Sequence, residues 1–272
     1  MTRSLRLTAA FICCLLPAAA FAQNAAPASV PAPLAPAGTI QAAPVTPPLA
    51  LPHLAEPASR PTVPDLTRYL NNPALLNFCT AQVAQFNDRD ADIIFIGDSI
   101  TQGWLGKGKE VWEANFAARN ALDFGIGGDQ TQHVLWRMDN YPIQRLHPKV
   151  AVVLIGTNNL HNTAPEIAEG VKAVLTKTQT MYPGIRTILV SIMPNRRAND
   201  LMMAANAILR TFADDQTIYY LDLVPVMTPV GDNWKGLGPD HLHPDASGYQ
   251  LWTDAMLPLL NKLLPLAQAA TQ

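Results

Sequence analysis

The sequence predicts an α/β protein, a three-layer α/β/α sandwich around a five-stranded parallel sheet, and three observations predict it. Five short apolar runs rich in β-branched and aromatic residues occupy 93–96, 121–124, 150–155, 187–192 and 218–221, as strands buried on both faces of a parallel sheet require. Helical apolar periodicity separates most of them, which implies crossover units with helices on both faces. Three of the runs stop at polar, glycine-bearing segments, Gly97-Asp98-Ser99, 125–131 and 156–159, and open α/β sheets place ligands at such carboxyl ends.

Before the first run the chain has three parts. Arg3 and Arg6 precede an apolar stretch through Leu7, Phe11, Ile12 and Leu16, which closes on Ala20-Phe21-Ala22. This has the pattern of a signal peptide over residues 1–22, cut after Ala22, so the expected location is secreted or periplasmic. The stretch is short for a membrane span, and no stable membrane insertion is expected after cleavage. Cys13 and Cys14 leave with it, so Cys79 remains alone, without an internal disulfide and best read as a buried small apolar residue. Residues 23–64 are rich in Ala and Pro, the composition of an extended, disordered tether. One domain is expected over 65–272, and 49% hydrophobic residues supply an ample core. The formal net charge of -2 and the absence of a basic cluster argue against a nucleic-acid partner.

The domain opens with helical spacing of Leu66, Tyr69, Leu70, Leu75, Leu76, Phe78, Val83 and Phe86 around Asn71-Asn72-Pro73. After the first strand come Gly103, Trp104, Gly106 and Gly108, then a short helical piece with Val111, Trp112 and Phe116. Trp104 is close enough to Ser99 in sequence to be a candidate for the substrate pocket, although core packing is the commoner role of a tryptophan. The second strand ends in Gly125-Ile126-Gly127-Gly128-Asp129, where glycines let a backbone pass near a ligand. This loop lacks both the Gly-Lys-Ser/Thr ending and the G-x-G-x-x-G spacing of nucleotide cradles. A helix with His133, Trp136 and Arg137 follows. The third strand ends in Thr157-Asn158-Asn159, an amphipathic helix spans 164–182, the fourth strand leads to a helix over about 200–214, and the last helix runs over 246–264.

Ser99 by itself suits a helix cap. As a nucleophile it needs a base, a group that orients the base, and donors for an oxyanion. The stretch 233–245 holds Trp234, Asp240, His241, His243 and Asp245 and admits three readings. It is a solvated loop capped by Asp245, a metal site of Asp240, His241, His243 and Asp245, or the source of a base for Ser99. In the last case spacing favours His243 oriented by Asp240, because residues three apart face each other across one turn.

These segments, in this order, resemble the SGNH or GDSL hydrolase superfamily. Gly97-Asp98-Ser99-Ile100 resembles its first block, with Ile100 where the family name has Leu, and Asp240 to His243 its D-x-x-H block. The resemblance implies a flavodoxin-like sheet, Ser99 as nucleophile, His243 and Asp240 completing a triad, and Ser99, Gly128 and Asn158 as oxyanion donors. Residues 124–129, 133–137 and 156–159 are similar to stretches of the catalytic subunits of intracellular, brain-type platelet-activating-factor acetylhydrolase, which pair; a homodimer is the corresponding expectation. No cofactor and no metal are implied. His161 and Trp234 join Trp104 as candidate substrate contacts.

The expected function is an exported serine esterase acting on short acyl groups, O-acetyl groups on a glycan or small molecule foremost. The alternative substrate is a phospholipid or lysophospholipid ester. A non-catalytic polysaccharide-binding module is the alternative from another class, disfavoured because it has no need of Ser99, Asp240 and His243 together.

Overall fold

The structure is a computed structural model that describes residues 60–84 and 89–266. The expected signal peptide, the expected tether up to residue 59, and Phe86 lie outside the described residues. Residues 60–64 lie on the domain: Pro61 is buried, and its carbonyl accepts the Thr131 hydroxyl at 2.8 Å.

The five apolar runs form one parallel sheet: β1 (Ile93–Gly97), β2 (Ala121–Gly125), β3 (Val150–Leu154), β4 (Arg186–Val190) and β5 (Ile218–Leu221). Their order is β2-β1-β3-β4-β5, the doubly wound, flavodoxin-like arrangement that the family resemblance implies. The chain leaves β1 toward one edge and returns to lay β3 on its other side. A crevice therefore opens at the carboxyl ends of β1 and β3, and Ser99 follows β1 there.

Strand residues alternate between two cores. Ile94, Ile96, Leu122, Phe124, Ala151 and Val153 face one, built with α2 (Pro73–Ala84), α5 (Thr131–Asn140), α6 (Ala164–Met181) and α7 (Asn199–Leu209). Phe95, Val152, Leu154, Ile188 and Val190 face the other, with α4 (Lys109–Asn115) and α8 (Ala246–Leu263). Cys79 is fully buried in the first core. Each buried Val, Leu, Ile or Phe side chain among these contributes about 1.5–3 kcal/mol on leaving water, which is why the sheet is a rigid base for its loops.

Local chemistry sets the helix ends. Thr163 and Glu166 form a reciprocal capping box at the start of α6, and Asp245 caps α8 by accepting the Gly248 N–H at 3.0 Å. Two short helices, α1 (Thr67–Leu70) and α3 (Ser99–Gln102), and a small antiparallel pair, β6 (Pro229–Val230) with β7 (Asn233–Trp234), complete the domain. Too short to carry periodicity, that pair falls where the sequence shows only loop character.

Candidate active site

Ser99 is the first residue of α3, directly after β1. The turn is tight: a Cβ on Gly97 would lie 2.0 Å from Thr101 Oγ1 and 2.4 Å from the Leu154 carbonyl, so only glycine fits. Asp98 caps α3 by accepting the Ile100 N–H at 2.9 Å.

His243 reaches Ser99 from the loop before α8. Its Nε2 lies 2.8 Å from Ser99 Oγ, and its Nδ1 lies 2.7 Å from Asp240 Oδ2. The Asp240 Oδ1 accepts the backbone N–H groups of Leu242 and His243 at 3.2 and 3.1 Å. His241 takes the left-handed conformation, φ 53°, which folds the chain back so that residues 240 and 243 meet. Burial pushes the Asp240 carboxyl up, but the His243 ring and the two N–H groups outweigh it and bring it down to about 2. It is thus an anion at neutral pH. Serine, imidazole and carboxylate form one hydrogen-bonded file, able to move a proton off Ser99 Oγ.

The loop after β2 passes beside the serine. A Cβ on Gly127 would stand 3.7 Å from the Ser99 Cβ, and Gly127 N–H donates to Gln102 Oε1 at 2.7 Å. Gly128 has φ +77°, and a Cβ there would stand 2.6 Å from Arg68 Nη2. Among the described residues no acceptor takes the N–H of Ser99 or Gly128. The next residue, Asp129, is a fully buried carboxylate that accepts three side-chain donors: Arg68 Nη1 at 2.7 Å, Arg137 Nε at 2.8 Å and the Tyr69 hydroxyl at 2.7 Å. Arg68 also donates to the Gly127 carbonyl. A buried charge is tolerated only when paired this fully, so the network locks the loop.

Asn158 lies across the crevice after β3. Its Nδ2 donates to the Asp129 carbonyl at 3.0 Å and to Asp98 Oδ2 at 3.3 Å, and its Oδ1 accepts Arg197 Nη1 at 3.2 Å. Burial raises the Asp98 carboxyl to about 7, against the bond from Ile100 N–H, and Asp129 adds to the rise. Ser99, Gly128 and Asn158 thus come together around one crevice with His243 and Asp240.

Three other candidates lie elsewhere. Trp104 is a correction: it has no exposed surface, and its ring packs on Tyr249 at 4.5 Å and Trp252 at 4.9 Å. The turn after Ser99 carries its indole under the sheet against α8, where burial of a large aromatic surface outweighs nearness in sequence. Trp234 is half-buried on β7 and packs at the edge of the same core. His161 is exposed on the loop after β3 and has no hydrogen bond or ion pair among the described residues. His241 makes no hydrogen bond to Ser99, and its backbone carbonyl accepts Arg196 N–H at 3.1 Å. Among the described residues no three His, Cys, Asp or Glu side chains group as metal ligands.

Asp98, Arg68, Asp129 and Arg197 are the site-shaping residues that sequence reasoning missed. Asp129 carried one signal, an acid directly after two glycines with Arg137 eight residues on. Arg68 and Arg197 carried none, because each reaches the site from a distant segment.

A serine, an imidazole and a carboxylate in file at the carboxyl ends of a 2-1-3-4-5 sheet have the form of an α/β serine hydrolase. A model of the GDSL-like Lipase/Acylhydrolase family matches residues 95–251. The chain belongs to that family and is a carboxylic ester hydrolase. It is 34% identical over 194 residues to platelet-activating factor acetylhydrolase IB subunit alpha1 of Bos taurus, covering 67% of this chain and 80% of the relative. Against the Rattus norvegicus subunit alpha1 the identity is 38% over 136 residues, 46% of this chain and 58% of that relative, little more than half its length. Among solved structures, a GDSL-like lipase from Bacteroides thetaiotaomicron matches with TM-score 0.57 and 18% identity over 70% of this chain and 98% of that one. A lipase/acylhydrolase from Enterococcus faecalis matches with TM-score 0.53 and 21% identity over 66% and 100%. At these identities the two structures attest the fold.

Proposed function

We propose that this ester hydrolase is an exported serine esterase that removes short acyl groups, acetyl foremost, from a glycan or small-molecule ester. The observation that carries the serine mechanism is the file Ser99 Oγ to His243 Nε2 at 2.8 Å and His243 Nδ1 to Asp240 Oδ2 at 2.7 Å.

His243 takes the Ser99 proton as Oγ attacks the ester carbonyl, and Asp240 holds the imidazolium that forms. The developing oxyanion accepts the N–H groups of Ser99 and Gly128 and the amide of Asn158. The protonated His243 then gives its proton to the leaving alcohol, and water, deprotonated by His243, releases the acid. The acetyl preference is supported by relatives whose name makes them acetylhydrolases. Export rests on the amino-terminal pattern of Arg3, Arg6, an apolar run and Ala20-Phe21-Ala22; the glycan substrate rests on export. A phospholipid ester is the second reading, favoured by the same relatives' name.

The test is hydrolysis of p-nitrophenyl esters from acetyl to long chains by the full chain and its Ser99→Ala variant, with chelator present. Activity greatest on acetyl and lost with Ser99 is expected. Rates rising toward long chains overturn the short-acyl reading, and activity that survives Ser99→Ala overturns the serine mechanism.

A further inference from the structure

The Asn158 amide can sit in two orientations that differ by exchange of its oxygen and nitrogen, and only one offers an N–H to an oxyanion. Its Nδ2 meets two acceptors, the Asp129 carbonyl at 3.0 Å and Asp98 Oδ2 at 3.3 Å, while its Oδ1 meets one donor, Arg197 Nη1 at 3.2 Å. The flipped amide would set its NH2 against the Arg197 guanidinium and its oxygen against the Asp129 carbonyl.

Arg197 is exposed, yet its backbone is built into place. The side chain of Asn195, 1% exposed, accepts the N–H groups of Arg197 and Ala198 at 3.1 Å each and donates to the Met193 carbonyl at 3.2 Å. The loop after β4 thus holds Arg197 at the mouth of the crevice. The guanidinium donates to the amide oxygen, and the amide nitrogen donates on to the Asp129 carbonyl and the Asp98 carboxyl, so the bonds all run inward from the cation. In such a chain each bond polarises the next, and a cation on Oδ1 makes the Nδ2–H groups stronger donors.

We propose that Arg197 is a positioning residue for the oxyanion hole: it fixes the Asn158 amide with nitrogen inward and strengthens that nitrogen as a donor to the tetrahedral intermediate, which takes the N–H now spent on the longer, 3.3 Å contact with Asp98. The inference rests on Asn158 being an oxyanion donor, the reading given under the proposed function. Arg197 acts on the transition state through Asn158, so its loss lowers kcat and leaves substrate binding nearly as it was.

The experiment measures kcat and KM of the full chain on p-nitrophenyl acetate for Arg197→Met, Arg197→Lys, Asn158→Ala and, as a control, Arg196→Met, whose side chain pairs instead with Asp232. Removing one direct oxyanion donor lowers kcat by about 10²–10³-fold. Acting one bond further out, Arg197→Met is expected to lower kcat roughly tenfold to hundredfold with KM within about threefold. Arg197→Lys restores part of the loss, as does added guanidinium ion with Arg197→Met, while Arg196→Met stays near the parent. A loss in Asn158→Ala with kcat of Arg197→Met unchanged overturns the inference alone. No loss in Asn158→Ala overturns the oxyanion reading beneath it. A rise in KM at constant kcat makes Arg197 a substrate contact and also overturns the proposal.

Discussion

Replacing Asp240 by Asn separates two tasks of its carboxylate. Oδ1 holds the Leu242 and His243 N–H groups, and Oδ2 faces the imidazole Nδ1 at 2.7 Å. In Asp240→Asn the amide oxygen keeps the two backbone donors, so the NH2 group stands opposite Nδ1. The ring must then accept at Nδ1 and carry its proton on Nε2, 2.8 Å from Ser99 Oγ, where it can no longer receive the serine proton. Turning the amide over sacrifices two backbone bonds of about 1 kcal/mol each and sets its NH2 against two N–H groups, about 3–4 kcal/mol in all. At about 1.4 kcal/mol per decade, the working tautomer falls to roughly 10⁻² to 10⁻³ of the population. Loss of the charge-assisted bond to the imidazolium costs about 1.5 kcal/mol more, the lower end of its range because the Asp240 side chain is 48% exposed. The expected fall in kcat on p-nitrophenyl acetate near neutral pH is about 10³–10⁴-fold. Asp240→Ala loses the charged bond and the two backbone bonds to Oδ1 but leaves the tautomer free, a fall of about 10-fold to 10²-fold. The asparagine variant must therefore be the poorer enzyme. Equal activity, or more in Asp240→Asn than in Asp240→Ala, refutes the orientation argument.

Two further predictions follow from buried charge. Arg68→Met removes the donors to Asp129 and the Gly127 carbonyl, and a kcat lower by roughly tenfold or more is expected as the Gly128 N–H loses its position; unchanged kinetics show that Arg137 and Tyr69 hold the loop alone. Asp123 on β2 is buried, with Oδ1 on the Gly125 N–H at 2.6 Å and no partner for Oδ2, and burial raises its carboxyl to about 8. The folded state therefore keeps a proton that the unfolded chain releases near pH 4. This stability is fully present below that pH and is lost as pH rises toward about 8. Asp123→Asn removes that loss, at the cost of an unpaired NH2 group. Urea unfolding is expected to show the variant gaining on the parent by a few kcal/mol between about pH 5 and pH 8. Parallel curves for the two proteins refute it.

What the sequence by itself determined about this protein is what depends on near neighbours along the chain. Five apolar runs alternating with helical periodicity specified a parallel sheet, because burial on both faces needs an unbroken run and a crossover needs a helix. Gly97 before Asp98 and Ser99 marked a strand-to-helix turn that no Cβ can enter. The spacing of Asp240 and His243 placed imidazole beside carboxylate, since one turn spans three residues. Tertiary structure alone decided the rest. Trp104, five residues from Ser99, went to the core because the turn after the serine directs it at α8. Arg68 and Arg197, with Asp129 between them, frame the crevice from segments 129 residues apart end to end. Sequence distance carries no record of that meeting. The sheet order creates it, by opening β1 and β3 at their carboxyl ends and leaving a buried carboxylate there that takes the distant Arg68 as well as the nearby Arg137.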